Sequence, residues 1–209
     1  MVKQERATRT RNALIRSAAE VFDREGFPNA SLSAISSLAG VSNGALHFHF
    51  ASKAVLAAAV EGAALSRLAD LTGGAPPPGP GPHVQLLIDV THRLAAAQRG
   101  DAVLRAGFAL ADEVSRPTRG DLREQWRHWV RGALEQAYSA GELGAGVTVR
   151  DAETAVVAAT VGFEALGVRD PVWLSPATVT RFWRLLLPTV VPADRLDDLD
   201  PAGTSLTRP

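Results

Sequence analysis

The stretch from Ser31 to Phe50, SLSAISSLAGVSNGALHFHF, constrains the fold more than any other part of the chain. Ser31 or Ser33 can accept hydrogen bonds from the free N–H groups of a helix start. A short helix carrying Ile35, Leu38 and Ala39 then fits. Gly40 stands where the backbone must turn, and glycine enters the left-handed region without a steric penalty. Ser42 can cap a second short helix holding Ala45, Leu46 and His49. Helix, tight turn and helix in so few residues is the pattern of a helix-turn-helix.

The flanking sequence predicts more helices. Ala7, Leu14, Ala18, Val21 and Phe22 recur at helical steps, predicting a helix over 7–27 with Gly26 as its stop. Leu56, Val60, Leu65, Leu68 and Leu71 predict a second long helix over 53–71. Residues 73–83, GGAPPPGPGPH, hold four Gly and five Pro and read as a connector. Further helices are expected over 84–98, over 102–114 before Pro117, over 122–140 up to Gly141, over 151–166 and over 176–187. No stretch reads as a strand. The expectation is an all-α protein of about nine helices. Residues 1–55 would form a helix-turn-helix domain, 56–192 a ligand-binding and dimerisation domain, and 193–209 a disordered tail.

Charge and composition narrow the partners. The chain is neutral overall, but residues 1–60 carry seven Lys/Arg against four Asp/Glu, and the remainder is acidic by the same margin. A basic end on an acidic chain fits contact with a polyanion. There is no cysteine, which removes disulfides and thiolate metal sites. The opening MVKQERATRTRNAL is polar, and no run approaches the ~20 apolar residues of a membrane span. A cytoplasmic protein without membrane contact or cofactor is expected. No nucleophile elbow, phosphate loop or dinucleotide fingerprint is present, and His47, His49, His83, His92 and His128 have no metal-ligand spacing. An enzyme is therefore not expected.

A reading helix must offer hydrogen-bonding groups to base edges, with flanking donors for phosphates. Ser42, Asn43 and His47 supply such groups, while Gly44 and Ala45 permit close approach. Leu46 and Phe50 would anchor the helix to its own domain. Lys53 opens the next helix, where its ammonium and the positive dipole end suit a phosphate. Arg6, Arg9 and Arg11 could reach neighbouring phosphates or a minor groove. Ser31, Ser33, Phe48 and His49 complete the candidate DNA-facing set.

All four tryptophans lie in the second half of the chain. Trp126, Trp129, Val130, Ala133, Leu134 and Ala137 share one helical stripe, faced by candidates Leu104, Phe108, Val156, Thr160 and Phe163. Such a stripe reads either as plain core or as the wall of a cavity for a small lipophilic ligand, with Thr160 and the indole N–H groups fixing its orientation. Ala155, Ala158, Ala159 and Gly162, with Val179, Phe182, Trp183 and Leu186, would pair two such chains through a four-helix bundle.

The string Ala39-Gly40-Val41-Ser42-Asn43-Gly44-Ala45-Leu46-His47-Phe48-His49-Phe50, followed by Lys53 and Leu56, resembles the N-terminal pattern of TetR-family repressors. Arg11, Ile15, Ala18-Ala19, Phe22 and Gly26-Phe27 match the preceding helix of that pattern. His47 stands where tyrosine is usual and Asn43 where lysine is frequent, so the operator cannot be carried over. Val103-Leu104-Arg105-Ala106-Gly107, Trp126 and Gly141-Glu142-Leu143 resemble the γ-butyrolactone receptor branch, together with its pseudo-receptors. The resemblance implies a dimeric repressor on double-stranded palindromic operator DNA, released by a small-molecule effector, with Trp126 in the effector pocket. The alternatives are a multidrug-sensing regulator of an efflux pump, and a helical carrier that has lost DNA binding.

Overall fold

The computed structural model describes residues 2–79, 81–111, 113 and 120–204. Among them are nine α-helices, two short 3₁₀ helices and no strand. The helices are α1 (Val2–Asn29), α2 (Leu32–Leu38), α3 (Asn43–His49), α4 (Lys53–Thr72), α5 (His83–Gly100), α6 (Ala102–Ala111), α7 (Leu122–Ser139), α8 (Val149–Gly167) and α9 (Pro176–Val190). The expected end of α6 at Val114, before Pro117, lies outside the described residues. The all-α expectation holds, and so do the positions of the helices. The chain forms two compact units: Met1–Leu68 with Asp101–Leu122, and Ala69–Gly100 with Arg123–Pro209.

The first unit is built on α1, whose buried face carries Leu14, Ile15, Ala18, Val21 and Phe22. Gly26, at φ 75°, leaves the helical region and stops the first helical run of α1 where expected, and a short helical turn beyond it runs on to Asn29. Ser31 Oγ accepts from Ala34 N at 3.1 Å and starts α2. Gly40 takes φ 66° in the turn, as a residue without Cβ can. Ser42 Oγ accepts from Ala45 N, also at 3.1 Å, and starts α3. Ile35, Leu46 and Phe50 are buried, fixing both short helices by their inner faces.

Helix α6 also belongs to this unit. Asp101 Oδ1 accepts from the backbone N–H groups of Val103 and Leu104, capping the start of α6, and pairs with Arg67 of α4. Arg105 grips Asp23 of α1 in a bidentate pair, with Nε 3.0 and 3.1 Å and Nη2 2.7 Å from the carboxylate. That carboxylate holds the guanidinium pKa above its ordinary value. Gly107 lets α6 close on α4, since a Cβ there would lie 2.3 Å from that of Ala64.

In the second unit, Glu142 is buried and accepts from His83 N at 3.0 Å and Val84 N at 2.8 Å, satisfying the start of α5. Trp183 of α9 is buried, and its indole donates to Thr91 of α5 at 2.7 Å. Trp183 and Val179 are therefore core, not the pairing surface expected of them. The C-terminal stretch departs from the expected disorder as far as Thr204. Ala193–Asp198 forms a 3₁₀ helix. Asp200 N donates to Gln85, Thr204 N donates to Asp89, and the His92 ring bonds Pro201 O. Gln85, Asp89 and His92 lie one turn apart on α5 and hold the stretch along it.

Candidate functional site

The outward face of α3 carries the first candidate site. Ser42, Asn43, Gly44, His47 and Phe48 are exposed, whereas Leu46 and Phe50 point inward. Positions 43 and 47, and 44 and 48, lie one turn apart and make a single stripe. Asn43 and His47 can each donate and accept hydrogen bonds. Ala45 and His49 are half-buried at the edges of the stripe. Phe48 leans edge-on against the His49 ring, 5.3 Å between centroids. Arg6 and Arg9 are exposed on α1, with Arg9 beside Gln4, Glu5, Thr8 and Asn12 along a shallow groove. Ser31 spends its hydroxyl on the α2 cap, and Ser33 is exposed in the first turn of α2.

Lys53 is a correction. Its ammonium donates to Phe27 O at 2.7 Å, Ala30 O at 2.9 Å and Pro28 O at 3.0 Å, and lies 4.7 Å from the Phe27 ring centroid. An ammonium has three donors, and all three are spent on the corner between α1 and α2. The geometry supports a clip for that corner, not a free phosphate ligand. Arg11, in turn, stacks over the Phe50 ring at 5.2 Å.

The candidate effector residues separate. Leu104 and Phe108 are buried on α6, in the first unit. In the second unit Trp126 and Trp129 of α7 stack at 5.5 Å with 12° between planes. Trp126 is 1% exposed; its Nε1 donates to Thr160 Oγ1 at 2.8 Å, and that hydroxyl donates to Val156 O at 2.8 Å. Trp129 Nε1 donates to Gly74 O at 2.9 Å. Every polar handle expected to orient a ligand thus has a partner within the chain. Val130 and Val156 are buried core, and Phe163 packs edge-on to Phe182 at 5.6 Å. A cavity of about 290 Å³ in this unit lies elsewhere, against Pro82, Val84, Glu142, Val191 and Leu199, and none of the eight candidates lines it.

Residues 14–60 match the model of the tetR family of bacterial regulatory proteins. The solved structure of a γ-butyrolactone receptor, an ArpA-like protein, is 30% identical, covers 94% of this chain and 96% of its own, and has a TM-score of 0.76. The chain belongs to the TetR family. Within it, the chain falls in the γ-butyrolactone-receptor branch. The A-factor receptor protein of Streptomyces griseus is 29% identical over 97% of this chain and 71% of its own length. The TetR-family protein CprB of Streptomyces coelicolor, solved with its biological operator sequence, is 30% identical over 92% and 94% of the two chains, with a TM-score of 0.73. As a TetR-family member the chain is a DNA-binding, ligand-responsive transcription regulator rather than an enzyme. No described helix is long and apolar enough to cross a membrane.

Sequence reasoning missed the structural roles of Glu142, Asp23 and Arg105, although Arg105 and Glu142 fall in the strings that carry the branch resemblance. Each acts across 58 or more positions of chain. Nothing local names the partners that hold them.

Proposed function

We propose that the chain is a cytoplasmic repressor that binds a palindromic operator as a homodimer and is released by a small lipophilic effector. The effector would be a γ-butyrolactone-like signal or an antibiotic-like metabolite. The exposed polar stripe of Ser42, Asn43, Gly44 and His47 on a helix capped and anchored from behind carries the DNA part of this reading. Arg6 and Arg9 would supply phosphate contacts. The solved complex of CprB with its operator supports operator binding as the function.

The effector would bind at the Trp126–Trp129 stack, opening the Trp126–Thr160 hydrogen bond to bond the indole or the hydroxyl itself. The relatives described as γ-butyrolactone and A-factor receptors support that ligand class. Effector binding can shift operator affinity only by its differential affinity for the two states. Helix α4 runs from the first unit into the second and would carry the change.

Pairing would use the outer face of α8 and α9. Ala155, Ala158, Ala159, Gly162 and Leu166 form one stripe of small and apolar residues on α8, and Leu185 of α9 is 81% exposed. A two-fold dimer would then present two α3 helices to successive major grooves.

The DNA part is tested by anisotropy titration, at fixed salt, of a fragment from upstream of the protein's own gene. Asn43→Ala and His47→Ala should each weaken specific binding by about tenfold, the value of one good base contact. Binding unchanged in both variants would remove α3 as the reading element.

A further inference from the structure

Phe48 is the most exposed large apolar side chain among the described residues, at 83%. It contributes nothing to the core of its unit. Its ring lies edge-on against the His49 ring, 5.3 Å between centroids. It sits one turn beyond Gly44, where even an added Cβ would meet only Ser42 Oγ, at 3.9 Å. The helix can therefore approach a groove floor closely at Gly44, with the ring following on the same stripe. Its neighbours on that stripe, Ser42, Asn43, Gly44 and His47, are polar or small, so the stripe itself offers no contiguous apolar patch for a protein partner.

We infer that Phe48 reads a thymine, by packing its ring on the C5-methyl group in the major groove. The inference rests on the operator-binding reading above. A phenyl ring forms no conventional hydrogen bond. The thymine methyl is the apolar group that base pairs present in the major groove, whereas the other positions offer donors and acceptors. A ring pressed on those polar edges would gain little and would strip them of water. The inference places an A·T pair under Phe48 in each half-site.

The test uses the full-length protein and a retarded upstream fragment, copied once with thymidine and once with deoxyuridine, which differ only by that methyl group. At fixed salt, wild-type protein should bind the uracil DNA about fourfold more weakly for each contacted methyl, the value of one buried carbon. Phe48→Ala should bind thymine DNA about as wild type binds uracil DNA, with a thymine-to-uracil ratio near one. Its circular dichroism and melting temperature should match wild type, because the side chain is exposed. Phe48→Leu, still apolar, should keep part of the ratio. A wild-type ratio of one would overturn the inference and mark the ring as a sugar or phosphate-backbone contact. A Phe48→Ala ratio equal to wild type would overturn it too, because another residue would then read the methyl. Failure of wild type to retard thymine DNA would bring down the operator-binding reading itself, before uracil enters.

Discussion

Lys53 shows how one residue's chemistry can be read correctly and its role missed. Its charge and its place at the start of α4 both fit a phosphate. The three carbonyls that hold it lie 23 to 26 positions earlier, in a corner with no periodic pattern. Lys53→Gln should lower the melting temperature, because hydrogen bonds from a charged donor are worth about 1.5–3 kcal/mol in favourable cases. The slope of log affinity against log salt should stay unchanged. A phosphate contact would instead reduce that slope by about one. Trp126 was legible as a residue of a buried stripe, but its hydrogen bond to Thr160 was not, since it crosses from α7 to α8. Trp126→Phe keeps most of the packing and removes the indole N–H. It should blunt effector-triggered release while leaving operator affinity within about twofold, one buried hydrogen bond being small against the whole. Loss of operator affinity instead would make Trp126 a purely structural residue.

At the scale of elements, the sequence supports the helices well because capping and periodicity are local. Ser31, Gly40 and Ser42 stand where the structure uses them. The partnership of α6 with α1 and α4 was not legible. It depends on Arg105 meeting Asp23 of α1, 82 positions away, and on the bare Cα of Gly107 against Ala64 of α4. Gly107→Ala should destabilise by about 1–3 kcal/mol, the ordinary cost of overpacking, despite the helix-favouring change. Thermal melting checks this, and an unchanged or raised melting temperature would contradict the close approach. Glu142→Ala should strip the start of α5 of its acceptor. A cost of about 1–3 kcal/mol is expected for leaving buried N–H groups without a partner. The stretch beyond Pro192 looked disordered because it is polar and contains proline. Gln85, Asp89 and His92 of α5 satisfy its backbone as far as Thr204, so polarity there serves order.

At the scale of the whole molecule, the proposed reading helix, effector site and pairing face would act together in one regulator. Leu185→Asp places a charge on the exposed face of α9. Light scattering should then find monomers that keep the helical signal, with operator affinity reduced because the two half-sites are no longer bound together. Dimers of undiminished mass would move the pairing surface elsewhere. The central claim is that one protein both binds its operator and surrenders it to a small lipophilic molecule. The most direct measurement is a gel shift on DNA upstream of the protein's own gene and its neighbours, at fixed salt, with and without a solvent extract of the culture that makes the protein. The account predicts a retarded band that the extract dissolves. A band indifferent to the extract would contradict the proposed effector class, and no band on any fragment would contradict the repressor reading and favour a helical ligand carrier.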